Sequence, residues 1–142
     1  MARPPRRRKP AKKPIIMDPP DYEMIYTDEI EFNRTSELRK TFCSLGLDSR
    51  AIYNISFVNH KVLEITLAPD IKSRLVETLK AEGISILKRF DPIVPADPHA
   101  TDSLRQHFLD GWKRRVDKII DQTRNPKAKA IFEAWKKKVL NP

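Results

Sequence analysis

The apolar positions between residues 35 and 90 change period twice. Leu38, Phe42 and Leu45 recur at i, i+4 and i+7, one face of a helix, with Thr35 or Ser36 to cap its start and Gly46 to end it. The period then falls to two. Tyr53, Ile55 and Phe57 alternate with Asn54 and Ser56, and Leu63, Ile65 and Leu67 alternate with Val62, Glu64 and Thr66. These two strands flank a turn at Asn59-His60, where asparagine tolerates a positive φ. A second helical stripe follows in Ile71, Leu75 and Leu79, with Pro69 near its first turn and Gly83 as its C-cap. Residues 84–87 are short and apolar enough for a closing strand, and residues 29–32 would supply an opening one. The order predicts an α+β fold, βαββαβ, on the ferredoxin-like or RRM-like plan. Function does not follow from such a plan, which hosts many unrelated ones.

Past this core, Pro92, Pro95 and Pro98 exclude regular helix and hold the chain extended, with Phe90, Ile93 and Val94 apolar enough to pack down. Thr101 or Asp102 then caps a long helix whose Leu104, Phe108, Trp112, Val116 and Ile119/Ile120 form one stripe. Asn125-Pro126 ends it and opens a last helix, striped by Ala128, Ile131, Trp135 and Val139. The pair predicts a helical hairpin. The expected organisation is a disordered basic tail over 1–16, an acidic linker over 17–34 able to supply an edge strand, an α/β domain with a proline-rich connector over 35–100, and the hairpin over 101–142.

Charge changes the picture most at the N-terminus. The formal net charge is +9, yet residues 1–14 hold seven bases, Arg3, Arg6, Arg7, Arg8, Lys9, Lys12 and Lys13, and no acid. Setting those seven aside leaves 21 basic against 19 acidic residues. Proline-punctuated and without a hydrophobic period, this arm is expected to be disordered when free. Clustered Lys and Arg neutralise phosphates and release counterions, and the same pattern reads as a nuclear-import signal. A second basic set, Lys113, Arg114 and Arg115 with Lys136, Lys137 and Lys138, falls on the polar faces of the hairpin. It is either a phosphate-contacting face or a merely solvated one. Residues 17–32 reverse the sign, with six acids around Tyr22 and Tyr26. They read as a linker, or as an acidic-aromatic peptide for a protein partner.

Other chemistry is sparse. The chain lacks an apolar run near the ~20 residues that span a bilayer, so no membrane partner is expected. The single Cys43 excludes an internal disulfide and a cysteine zinc site, and reads as a small packed side chain. Gly46, Gly83 and Gly111 are too far apart to cradle a phosphate, and His60, His99 and His107 are scattered. No catalytic residue, metal or cofactor is expected. The consensus of base-stacking RRM sheets is missing, so Tyr53 and Phe57 are expected to face the core.

Two clusters carry a resemblance. Leu45-Gly46-Leu47-Asp48-Ser49-Arg50 running into Ile52 and Ile55, then Phe90-Asp91-Pro92 followed by Pro95 and Ala96-Asp97-Pro98, lie about 40 residues apart. In this order they resemble small proteins encoded with reverse-transcriptase-type retroelements of early-diverging fungi, over roughly residues 36–120. The resemblance implies association with a mobile-element nucleoprotein, by analogy with LINE first-frame proteins that bind nucleic acid. It places Leu45, Leu47, Ile52 and Ile55 in the core and Asp48 and Arg50 at the helix-to-strand turn. The expected function is a non-catalytic nucleic-acid-binding accessory protein, taking DNA or RNA through its basic arm in the nucleus. The alternative is a protein–protein adaptor with a nuclear-import tail, docking through residues 17–32 or the hairpin.

Overall fold

The computed structural model describes residues 18–142; the basic arm at residues 1–16 lies outside them. Three strands, β1 (Glu23–Thr27), β2 (Ile52–Phe57) and β3 (Leu63–Leu67), form an antiparallel sheet in the order β1-β3-β2. Four helices follow in chain order: α1 (Thr35–Ser44), α2 (Lys72–Ala81), α3 (Asp102–Gln122) and α4 (Pro126–Leu140). Every residue of central β3 is buried, including Glu64 and Thr66. Its two alternating sets of side chains meet two separate helical layers. Leu63, Ile65 and Leu67, with Ile25, Ile52 and Ile55, pack on Leu38 and Phe42 of α1 and Leu75 and Leu79 of α2. On the opposite face, Met24 and Tyr53 meet Ala128, Ile131 and Phe132 of α4 and Trp112 and Val116 of α3. Each such buried side chain contributes roughly 1.5–3 kcal/mol relative to exposure. Trp112 and Trp135 meet edge to face, with ring centroids 4.9 Å apart.

Burial on both faces explains where the opening strand sits. It is Glu23–Thr27, paired from Glu23↔Leu67 to Thr27↔Leu63, and not residues 29–32. A strand over 29–32 would press Glu29 and Glu31 into one of the two apolar layers without partners. Instead Glu29 accepts from the Ser85 N–H at 2.7 Å, and Phe32 is left 60% exposed. Residues 84–87 do not form the closing strand. They run beside β1 through one main-chain bond, Leu87 N to Tyr26 O at 2.7 Å, and through the Thr27 hydroxyl donating to Ser85 O.

Local chemistry sets the ends. The first helix already includes Thr35 and Ser36, so neither caps it: its N-cap is Arg34, with no side-chain cap among the described residues. Gly46 ends it at φ +90°, with Leu47 N donating to Phe42 O, so Leu47 is buried and Leu45 is left 37% exposed, outside the core. Gly83 repeats the device for α2 at φ +77°. Cys43, expected to pack, is exposed. In β2 a bulge between Ile52 and Asn54 leaves Tyr53 without a partner on β3. Tyr53 therefore sits against α4, while Ile52, Ile55 and Phe57 serve the other layer. The turn at Asn59 uses no positive φ; only Gly46 and Gly83 have one among the described residues. Asn59 Oδ1 instead accepts from the N–H groups of Lys61 and Val62. Thr101, one of the two caps the sequence offers, caps α3, and Pro126 opens α4 as expected, with Asn125 as its cap.

Candidate nucleic-acid interface

The hairpin is fastened to the sheet by one buried ion pair. Glu64, fully buried on β3, accepts from both terminal nitrogens of Arg115 on α3, each at 2.9 Å. The Tyr26 hydroxyl donates to the same carboxylate at 2.8 Å, and Arg115 also donates to Ser56 Oγ at 2.9 Å. Burial first, and the Glu64 charge second, push the Tyr26 hydroxyl far above its ordinary range, so it remains a donor. Arg115 is thus paired with the sheet and does not stand free on a solvated face of the hairpin.

The other predicted cations are dispersed. Arg3, Arg6, Arg7, Arg8, Lys9, Lys12 and Lys13 lie outside the described residues. Lys113 is half-buried and Arg114 exposed. Lys136 pairs with Asp117 across the hairpin. Lys137 borders a shallow groove that also holds Asp121 and Glu133, and Lys138 is exposed nearby. The hairpin lysines are interleaved with acids rather than gathered into one positive face. Within the acidic segment, Tyr26 is buried and Tyr22 packs by Tyr53 and Ala128, so these aromatics are engaged internally.

A different basic cleft, of about 490 Å³, forms where residues 32–35 meet β2 and the C-terminal half of α3. Arg34, Lys118 and the edge of Arg115 line it, together with Asn54, Gln122 and Thr123 and, among the described residues, no carboxylate. Helix α1 opens into this cleft with its uncapped N-terminus, where the partial positive charge of the helix dipole favours anions. The Asn54 amide nitrogen is buried there without a partner among the described residues. Phe32 stands at the rim, its ring 4.9 Å from Phe57 and 4.7 Å from His60. The arrangement offers donors for phosphate oxygens beside an exposed aromatic face. Sequence reasoning missed Arg34, Asn54 and Phe32 because they are isolated along the chain. Lys118 was visible only as one more cation of α3.

No family model, curated protein or solved structure matches the chain.

Proposed function

We propose that the protein is a non-catalytic nucleic-acid-binding protein that contacts phosphate through its basic arm and seats a single strand at the Arg34–Lys118 cleft. The observation that supports this most is that cleft: two cations without carboxylate partners and a helix N-terminus without a side-chain cap, among the described residues, and an exposed Phe32 at one rim. Basic grooves combined with aromatic platforms suit unpaired strands, because phosphates track the charge while bases stack on the ring. The proposal includes a ferredoxin-like plan. Strand β3 lies between β1 and β2 as in a split βαβ unit, and residues 84–87, which form no strand, are held beside β1 by one main-chain bond where that plan has its fourth strand. In an RRM the open sheet face stacks bases. Here α3 and α4 cover that face, which favours the sheet's rim over its surface as the interface. A nuclear retroelement nucleoprotein, implied by the sequence resemblance, is the setting we propose.

The test is fluorescence anisotropy of the full chain with labelled oligothymidylate and with a duplex of equal length, over a salt series. Phe32→Ala should cost about 1–3 kcal/mol in single-strand affinity and leave duplex binding nearly unchanged. Arg34→Gln combined with Lys118→Gln should reduce the single-strand salt slope by roughly 1.4, at ~0.7 per phosphate contact. A full chain that binds neither probe in low salt would overturn nucleic-acid binding. Cleft variants with wild-type affinity and slope would remove the cleft from it.

A further inference from the structure

The sheet has two edges, and they are closed to different extents. Pairing fixes which main-chain groups point outward. Val58 N donates to Val62 O at 2.8 Å, in register with the pairs Phe57↔Leu63 to Asn54↔Thr66. Bonded and non-bonded pairs alternate along an antiparallel ladder. Ser56 and Asn54 therefore bond to β3, while Ile55 and Phe57 turn their N–H and C=O groups away from it. On the far side of the sheet the same alternation turns Tyr26 outward from β1, and there Leu87 N donates to its carbonyl at 2.7 Å. The start of the β2 edge is closed as well. Arg39 donates to Ile52 O at 2.8 Å and to Ser49 O at 3.0 Å, and the bulge at Tyr53 interrupts the ladder. Past the bulge, the outward groups of Ile55 and Phe57 have no hydrogen-bond partner among the described residues. An edge left in this state accepts one more strand.

The open stretch lies in the Arg34–Lys118 cleft, where residues 54–57 run between residues 32–35 and α3. Its charge decides which strand fits. The acids nearest in sequence to the lining residues are turned elsewhere: Glu31, Asp117 and Asp121 line other grooves, and Glu37 pairs with Lys40. A second copy does not suit the site, because pairing β2 with β2 about a twofold axis would bring two Arg34 and two Lys118 side chains into one groove. We infer that the open half of the β2 edge takes an extended acidic segment of a partner protein as an added strand. Side chains on that strand alternate between two faces. Ser56 bonds to Arg115 of α3, so the face of Asn54 and Ser56 meets Lys118 and Gln122 and receives the carboxylates. The face of Ile55 and Phe57 belongs to the α1 layer and carries the exposed Phe32 ring, which suits apolar side chains. Main-chain bonds supply affinity, and the alternation of acidic and apolar residues selects the partner. Docking needs only the open edge and its charge. That it also regulates the cleft rests on the nucleic-acid reading above, since peptide and nucleic-acid strand would then exclude one another.

The test selects a phage-displayed library of random twelve-residue peptides on the full chain, then titrates a winning peptide into the ¹⁵N-labelled protein. Expected are sequences that alternate acidic with apolar residues, and amide exchange slowed at Ile55 and Phe57 but unchanged at Asn54 and Ser56, which are already bonded to β3. Lys118→Glu should weaken the peptide at least tenfold. N-methylating one alternate set of the peptide's amides should abolish binding and the other set should not, because only one set faces β2. Saturating peptide should release labelled oligothymidylate from the full chain. No enrichment, enrichment of basic or uncharged peptides, equal tolerance of both N-methylated sets, or binding that leaves exchange at Ile55 and Phe57 unchanged would overturn the docking. Peptide and oligothymidylate bound at once would overturn the regulation. A peptide that slows exchange at both residues of a protein that binds no oligothymidylate would support the docking and remove the single strand from this cleft.

Discussion

Replacing Arg115 with methionine removes the cation that holds a fully buried carboxylate. In the native protein Glu64 is 0% and the Arg115 side chain 14% exposed, so solvent screens the pair little. Both guanidinium contacts are 2.9 Å and bidentate, and Ser56 and Tyr26 complete the network. Forming such a pair gains little net stability, because desolvation of both ions offsets their attraction, but removing one partner strands the other and costs about 3–5 kcal/mol. For a chain of this size, at about 4 °C per kcal/mol, Arg115→Met should lower Tm by roughly 12–20 °C. Urea unfolding followed by tryptophan fluorescence should show a lower midpoint with an unchanged slope. The double variant Glu64→Leu with Arg115→Met removes both charges and leaves only the Tyr26 and Ser56 hydroxyls without partners. It should recover at least half of the loss. A single Arg115→Met variant within about 1 kcal/mol of wild type would refute the account of this pair as the clasp between hairpin and sheet. A double variant that loses the sum of both single losses would refute the coupling.

Three further outcomes follow from the same structure. Trp112→Ala should cost about 3–5 kcal/mol, whereas Trp135→Ala, at a half-buried position, should cost less; iodide should quench Trp135 and spare Trp112. Gly46→Ala forces a side chain into φ +90° and should destabilise by about 1–2 kcal/mol, as thermal denaturation would show. Deleting residues 1–14 should remove most of a duplex-DNA salt slope of about −4.5 to −6.3, the value for five to seven phosphate contacts at ~0.9 each. Retention of the full slope by the deleted protein would move the contacts to the folded part.

What the sequence determined by itself were the features carried by local spacing. Leu38 with Phe42, Leu75 with Leu79, and the alternation of Leu63, Ile65 and Leu67 each mark a buried face, and every helix was legible from such a stripe. The cap at Thr101, the start at Pro126 and the terminators at Gly46 and Gly83 are equally local, since the bonds involved span a few residues. Tertiary structure alone decided the rest. A sheet covered on both faces rejects the Glu29–Glu31 alternation and takes Glu23–Thr27, a choice visible only once α3 and α4 are in place. The Tyr53 bulge reverses which face one aromatic serves, and period counting cannot register an inserted residue. Glu64 looks like an outward-facing strand glutamate until Arg115, 51 residues later, arrives beside it. The cleft of Arg34, Asn54 and Lys118 joins three distant segments, none of which carries a signal alone. Periodicity reports what lies within a turn or two of the chain, whereas charge neutralisation and cleft formation depend on which distant elements share a face.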